Sequence, residues 1–352
     1  FINAGLRFFF PKNNRLLLPS SSFRKSDPMF SIGNFRNESR VILAPMAGVT
    51  DRPYRDACRS YGAYWTVSEM MSCDPTLRNS RKSRERMISG DEIGPKWVQI
   101  AGSDPEQMAS AAIYCVEKGA DIVDINMGCP AKKVCNKAAG SALLRDEALV
   151  RDILSRVVEA VPVPVTLKIR LGWSKDEINA TEIGIIARDC GVVLLTVHGR
   201  TRACRFSGKV DYEAIGSIKR NVDLPIVANG DISSPQEAKK VVEITNCDAV
   251  MIGRAALGKP WLLSQVDNFL QTGDLAQQVS GTYIIDFLLK HLSALYHHYG
   301  VERGLLIARK HVGWAIADLP MCNQIKKEFN QASSAEEQLR VISCLKREKL
   351  VA

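Results

Sequence analysis

The sequence predicts an α/β protein, a (β/α)8 TIM barrel followed by a smaller all-helical C-terminal domain. Eight short, apolar, β-branched runs recur between residues 41 and 254, with helical stretches between them. Strands alternating with helices form parallel β/α units, and eight units in this span match the size of a closed barrel. Beyond about residue 260 the strand signal stops and only helical patterns follow. The competing doubly wound sheet would carry a Gly-rich dinucleotide turn after its first strand, and Gly-x-Gly-x-x-Gly is absent.

The strands are expected at 41–47, 64–70, 95–101, 121–127, 164–170, 193–199, 225–231 and 249–254. Helix 105–119 opens on Asp104-Pro105 and closes on Gly119; 145–160 follows the fourth strand, and Ser234-Pro235 opens another at 235–244. An Asp or Ser cap, a Pro in the first turn and a terminal Gly satisfy the orphaned groups of helix ends. Residues 281–299, 303–317 and 323–350 read as the helices of a separate domain. The expected organisation is a non-fold segment 1–28, a barrel 29–260 and a helical domain 261–352. Residues 1–28 are rich in Arg, Ser, Phe and Leu, with no acid before Asp27. They read as upstream translated sequence ahead of a start at Met29, with an organellar transit segment as the competing reading.

Composition narrows the function classes. The 352 residues are 46% hydrophobic and 24% charged, ordinary for a globular chain, and no apolar run is long enough to cross a membrane as a helix. The net charge of +9 owes +4 to residues 1–28, so the mild basicity of the rest does not establish a nucleic-acid partner. Ten cysteines without a CxxC pair read as buried thiols in a reducing, cytoplasmic setting, and no zinc spacing is present.

Barrels keep their chemistry at the C-terminal ends of the strands. Those ends here hold Pro45-Met46-Ala47, Glu69, Gln99, Asn126 with Cys129, Lys168 with Arg170, His198 with Arg200, Asn229-Gly230-Asp231, and Gly253-Arg254. One polar strand end is ordinary capping; polar ends on nearly every strand mark a site. Gly230 and Gly253 follow strands seven and eight, where backbone N–H groups commonly take a phosphate, and Arg254 adds a charge. They read as the phosphate site of FMN, or otherwise as turn glycines. Lys168 needs an anionic partner, met by the N1/O2 edge of a reduced flavin or by a structural carboxylate. Gln99 and Asn126 carry donors and acceptors suited to ring edges. Cys129, without an adjacent base, suits a neutral proton donor. His198, Arg200 and Arg202 suggest an anion contact. The basic runs 78–86 and Arg309-Lys310-His311 are solvated faces or two parts of one nucleic-acid track.

The motifs Ala44-Pro45-Met46-Ala47-Gly48-Val49-Thr50-Asp51, Val67-Ser68-Glu69-Met70, Val98-Gln99-Ile100-Ala101-Gly102, Asp124-Ile125-Asn126-Met127-Gly128-Cys129-Pro130-Ala131-Lys132-Lys133-Val134, His198-Gly199-Arg200-Thr201 and Asn229-Gly230-Asp231 together resemble the tRNA-dihydrouridine synthases, the bacterial B-type subgroup above all. The resemblance runs from about Met29 to the end and includes Ile307-Ala308-Arg309-Lys310-His311-Val312. It implies an FMN-bound barrel with a helical tRNA-binding domain, with NADPH as electron donor and a D-loop uridine as target. Pro45, Met46, Ala47, Gln99, Lys168, His198, Asn229, Gly230, Asp231, Gly253 and Arg254 would hold the flavin. Asn126, Lys132, Arg200, Arg202, Arg309, Lys310 and His311 would meet the tRNA. A uridine would flip into the barrel mouth, take hydride from flavin N5 at C6, and receive a proton from Cys129 at C5. The loop 129–144, with Lys132, Lys133 and Lys137, would close over the target. No metal or stable protein partner is implied, and a monomer is expected. An FMN enzyme acting on a free pyrimidine explains the barrel equally well but leaves the helical domain without a purpose, and a non-catalytic tRNA-binding protein would make Cys129 dispensable.

Overall fold

The computed structural model describes residues 30–347 apart from 79, 87, 89, 90 and 137. The 1–28 segment, Met29 and Lys137 lie outside the described residues. Eight barrel strands appear where the apolar runs place them: Val41–Leu43, a second strand in two pieces (Trp65–Thr66 and Met71–Ser72), Trp97–Ala101, Ile122–Met127, Val165–Arg170, Leu194–His198, Ile226–Asn229 and Ala249–Ile252. They pair in parallel and in chain order. The divided second strand closes the ring. Its first piece pairs with strand one, its second with strand three, and Ser68 N–H donates to Trp97 O at 2.9 Å between them.

The intervening helices start where the caps direct. Asp104 accepts from Gln107 N at 2.8 Å, Asp146 from Leu149 N at 3.0 Å and Asp211 from Ala214 N at 2.9 Å, and each satisfies an orphan N–H of a first turn. Two layers of core result. One lies between strands and surrounding helices. The other fills the lower lumen with Ile42, Ala44, Trp65, Val67, Trp97, Ile122, Leu194, Val227, Ala249 and Met251.

An element the sequence reading did not anticipate plugs the barrel floor. Phe30–Ile32 and Phe35–Asn37 form an antiparallel hairpin around Gly33 (φ +56°). Phe30 meets the Trp65 ring edge-on at 5.5 Å. A side chain at Gly33 would collide with Pro164, just before strand five. A second unanticipated hairpin, Gly172–Ser174 with Glu177–Ile178, extends beyond strand five.

Helix Leu262–Thr272, just past the expected boundary at 260, lies against the barrel: Asp267 accepts from Arg40 N at 3.0 Å, and the helix packs on strand one. The helical domain proper comprises Gly281–Tyr299, Val301–Ala315, Cys322–Gln331 and Ala335–Arg347. Ile285, Leu288, Leu292 and Leu295 form its inward stripe at helical spacing. Its core is not separate from the barrel's. Tyr61, Trp261, Tyr283, Phe287 and His291 make one aromatic cluster across the junction, ring centroids 5.3–6.0 Å apart. One hydrophobic cluster holds residues of both parts.

Candidate active site

The upper lumen is polar where the lower is apolar. Period-two alternation turns Gln99, Asp124, Asn126, Thr166, Lys168, Thr196, His198 and Asn229 inward from strands three to seven. Most are buried, so each needs a partner.

Strand four carries the centre of the arrangement. Asn126 Oδ1 accepts from the backbone of Gly128 at 3.3 Å and of Cys129 at 3.0 Å. Cys129 O in turn accepts from Ser141 N at 3.2 Å and Ser141 Oγ at 2.9 Å. A Cβ at Gly140 (φ +64°) would lie 2.8 Å from Cys129 O, so the loop returns against the cysteine only because residue 140 is glycine. Burial pushes the Cys129 thiol above its ordinary value, so it keeps its proton at neutral pH. The loop is less open than expected. Gly140, Ser141, Leu143 and Leu144 are buried, and the exposed part is the short helix Lys132–Cys135 with its flanks, which carries Lys132.

Lys168 points from strand five to Asn229 Oδ1 at 2.9 Å, and Asn229 Nδ2 donates to Met251 O at 2.8 Å. Among the described residues no carboxylate forms an ion pair with Lys168. Burial lowers its pKa to about 8, so it stays mainly cationic at neutral pH. A half-buried cation hydrogen-bonded to a neutral amide suits an anionic ligand.

At the ends of strands seven and eight, Gly230 takes φ +129° and Asp231 takes φ +46°. Tyr212 OH donates to Gly230 O at 2.7 Å. Asp231 is clamped between Arg254, at 2.7 Å, and Arg200, which hold its carboxyl below the ordinary range. Among the described residues the N–H groups of Gly230, Asp231, Gly253 and Arg254 donate no backbone hydrogen bond. A Cβ on Gly253 would stand only 3.7 Å from Met46 Sδ, which brings Met46 from strand one to the same corner. Pro45 and Ala47 flank it, half-buried and exposed. Free N–H groups beside an arginine fit a phosphate.

The other expected residues have varied surroundings. Arg200 is buried, bonded to Asp231 and Gly208 O, and anchors its loop. His311 is 2% exposed: apolar spacing on Val301–Ala315 turns it inward against His291 at 3.0 Å. His198 is neutral, its pKa pushed down to about 2 by burial and by Lys168 and the nearby arginines, so it offers an anion no charge. Arg309 is exposed and donates to Asn330 O at 3.0 Å; Lys310 reaches Gly48 O at the barrel mouth. Arg202 lies 4.3 Å from the Trp173 ring centroid, with Arg145 on the same ring at 5.2 Å. In the basic run, Arg86 is taken by Glu69 at 3.2 Å, and Glu85 by Arg303.

Three residues had no role in the sequence reading. Arg170 donates to Gly128 O, Thr201 O and Arg205 O at 2.7–2.9 Å and ties the loops after strands four and six together. Phe206, 54% exposed, stands 5.0 Å from the Arg254 guanidinium and 5.4 Å from that of Arg170. Asp124, one place before Ile125-Asn126, is 2% exposed inside the lumen. Only the alternation of strand four marks Asp124 as inward-facing, and that signal does not name its partners.

The comparisons agree with this architecture. A family model described as Dihydrouridine synthase (Dus) matches residues 42–350. The chain is 53% identical over 307 residues to the tRNA-dihydrouridine synthase B of Pseudomonas aeruginosa, covering 87% of this chain and 92% of that protein. Against the proteins of the same description from Vibrio cholerae and Escherichia coli K12 it is 49% identical, covering 88% of this chain and 96% and 97% of theirs. Among solved structures, a histamine dehydrogenase from Rhizobium sp. 4-9 superposes with a TM-score of 0.51 at 13% identity, over 76% of this chain and 50% of that one, a likeness of fold alone.

Proposed function

This chain belongs to the dihydrouridine synthase family, and from that premise we propose that it reduces a D-loop uridine of tRNA to 5,6-dihydrouridine with bound FMN and NADPH as electron donor. The observation that carries the reading is Cys129: a protonated thiol at the end of strand four, its backbone held on both sides by Asn126 and Ser141. A neutral thiol in a donor-lined barrel mouth is the group required to protonate a ring carbon that gains negative charge.

FMN, when bound, supplies the hydride for C6 of the uracil. Around it the chain's residues divide the work. Gly230, Asp231, Gly253 and Arg254 hold the phosphate, with Pro45, Met46 and Ala47 along the first strand's end. Lys168, fixed by Asn229, sets positive charge against the ring system, with Gln99 and His198 at its edges. Asn126 and Lys132 meet the flipped base and Cys129 protonates its C5. The helical domain, through Arg309 and Lys310, and Arg202 on the barrel follow the tRNA backbone. The protein acts in the cytoplasm as a monomer. Among the described residues no helix is long and apolar enough to cross a membrane.

The test is anaerobic. The protein is reduced with NADPH, tRNA transcribed without modifications is added, and flavin absorbance and dihydrouridine content are followed. Rapid re-oxidation with a single dihydrouridine formed, and no response to free uracil or orotate, is the expected result. An inert tRNA with an active free pyrimidine would replace this reading with a small-molecule oxidoreductase.

A further inference from the structure

Inside the barrel a continuous hydrogen-bonded chain runs from the apolar floor to the cysteine loop. Trp97 Nε1–H donates to Thr166 Oγ1 at 3.0 Å, and Thr166 Oγ1–H donates to Asp124 Oδ1 at 2.6 Å. Gln99 Nε2–H donates to Asp124 Oδ2 at 2.6 Å. Asn126 Nδ2–H donates to Gln99 Oε1 at 2.8 Å, and Asn126 Oδ1 receives the N–H of Cys129 at 3.0 Å.

The direction of every link follows from one end. An indole N–H only donates, so Thr166 receives it and passes its own proton to Asp124. A carboxylate only accepts, so the Gln99 amide must turn its nitrogen to Asp124 and its oxygen to Asn126. That turns the nitrogen of Asn126 toward Gln99 and its oxygen toward the Cys129 backbone. Both lone pairs of Asn126 Oδ1 are then taken, by Gly128 and Cys129, and one N–H remains. Lys168 is the charged group that acts on Asp124 across the lumen.

We propose that Asp124 is the positioning residue of the active site: as a buried acceptor it orients Gln99 and Asn126, holds the backbone of Cys129, and leaves Asn126 toward substrate as a hydrogen-bond donor only. A buried carboxylate is costly, and among the described residues this one closes no ion pair that would stabilise the fold. Its gain is orientation. The proposal deepens the synthase reading and rests on it for the identity of the substrate.

The test compares the full-length flavin-loaded protein with Asp124→Asn. The amide keeps the volume but brings an N–H to a place where Thr166 and Gln99 both already donate, so one of them must turn. Three results are expected. The melting temperature at pH 7.5 is unchanged or higher, as for other buried charges kept for function. Uridine reduction in unmodified tRNA falls about tenfold or more, while flavin reduction by NADPH stays within about twofold. In flavin-free protein, iodoacetamide alkylates Cys129 about threefold faster or more, because its backbone anchor is loosened. A lowered melting temperature with wild-type rates of uridine reduction and alkylation would make Asp124 merely structural and overturn the proposal. Should Asp124→Asn fail to fold, Thr166→Val removes one donor from the carboxylate. The acidic limb of uridine reduction then moves to higher pH, and an unmoved profile counts against the proposal. If the wild-type protein leaves tRNA uridine untouched, the synthase reading fails by itself, and the alkylation rates alone decide for or against Asp124.

Discussion

Burial displaces the pKa values of two side chains in the lumen from those they have in solvent, and both lead to measurable consequences. Cys129 is a thiol held above its ordinary pKa by burial. Replacing it with alanine is expected to lower uridine reduction by about 10²–10⁴-fold, the usual range for a general acid, with flavin content and NADPH oxidation retained. A rapid-mixing assay of tRNA-driven re-oxidation checks this. Lys168 titrates near 8 instead of 10.5. Between those values the unfolded chain binds more protons than the folded one, so stability rises with pH across that window. Lys168→Met is expected to abolish that rise in flavin-free protein and to lose bound flavin, as read by melting curves from pH 7.5 to 10 and by the flavin-to-protein absorbance ratio. The sequence already marked Cys129 and Lys168 by their places at strand ends. It could not show that Lys168 meets an amide instead of a carboxylate, because that depends on strand seven, 61 positions away in the chain.

At the scale of elements, the cysteine loop is a device of backbone geometry. Gly140 combines a left-handed backbone with a contact of 2.8 Å to Cys129 O that any Cβ would make. Gly140→Ala is expected to cost about 1–3 kcal/mol in stability and to lower uridine reduction more than flavin reduction, since the displaced group is the cysteine backbone. Denaturant unfolding and the two half-reactions check it together. The floor hairpin is a device of packing. Phe30→Ala is expected to cost about 3–5 kcal/mol by opening a cavity against Trp65, with catalysis intact below the melting temperature. Barrel strands and capped helices were legible because period and cap chemistry are local. The hairpin was not, because three-residue strands show no period and Phe30 and Ile32 find their partners only in the closed lumen.

At the scale of the whole molecule, the helical domain is tied to the barrel mouth by polar contacts on top of the aromatic junction. Tyr299 OH donates to Asp51 Oδ2 at 2.7 Å, Arg303 pairs with Glu85, and Lys310 reaches Gly48 O. Burial raises Asp51 from 3.8 to about 6. Its folded pKa lies above its unfolded one, so the folded state binds the extra proton. Its contribution is full below about pH 4 and is lost as pH rises through about 6, a change of roughly 3 kcal/mol. Asp51→Asn, which keeps the helix cap, is expected to remove that component: the difference in melting temperature between variant and wild type grows in the variant's favour from pH 4.5 to 7.5. A difference that stays constant with pH would show that Asp51 does not titrate in this window.

Local chemistry decided much of this protein in the sequence alone. The alternation of apolar runs and capped helices set eight β/α units, and the polar strand ends marked which mouth of the barrel holds the site. The motif around Cys129 named its family. These are properties of neighbours along the chain, where period and turn geometry act within a few residues. Only the tertiary structure decided which polar groups are free. It buried Arg200 and His311, turned Lys168 to the Asn229 amide, packed Leu262–Thr272 on the barrel and drew Asp124 into a chain ending at Cys129. The physical reason is that a hydrogen bond or an ion pair spends a side chain, and the partners that spend these come from strands and loops far apart in sequence.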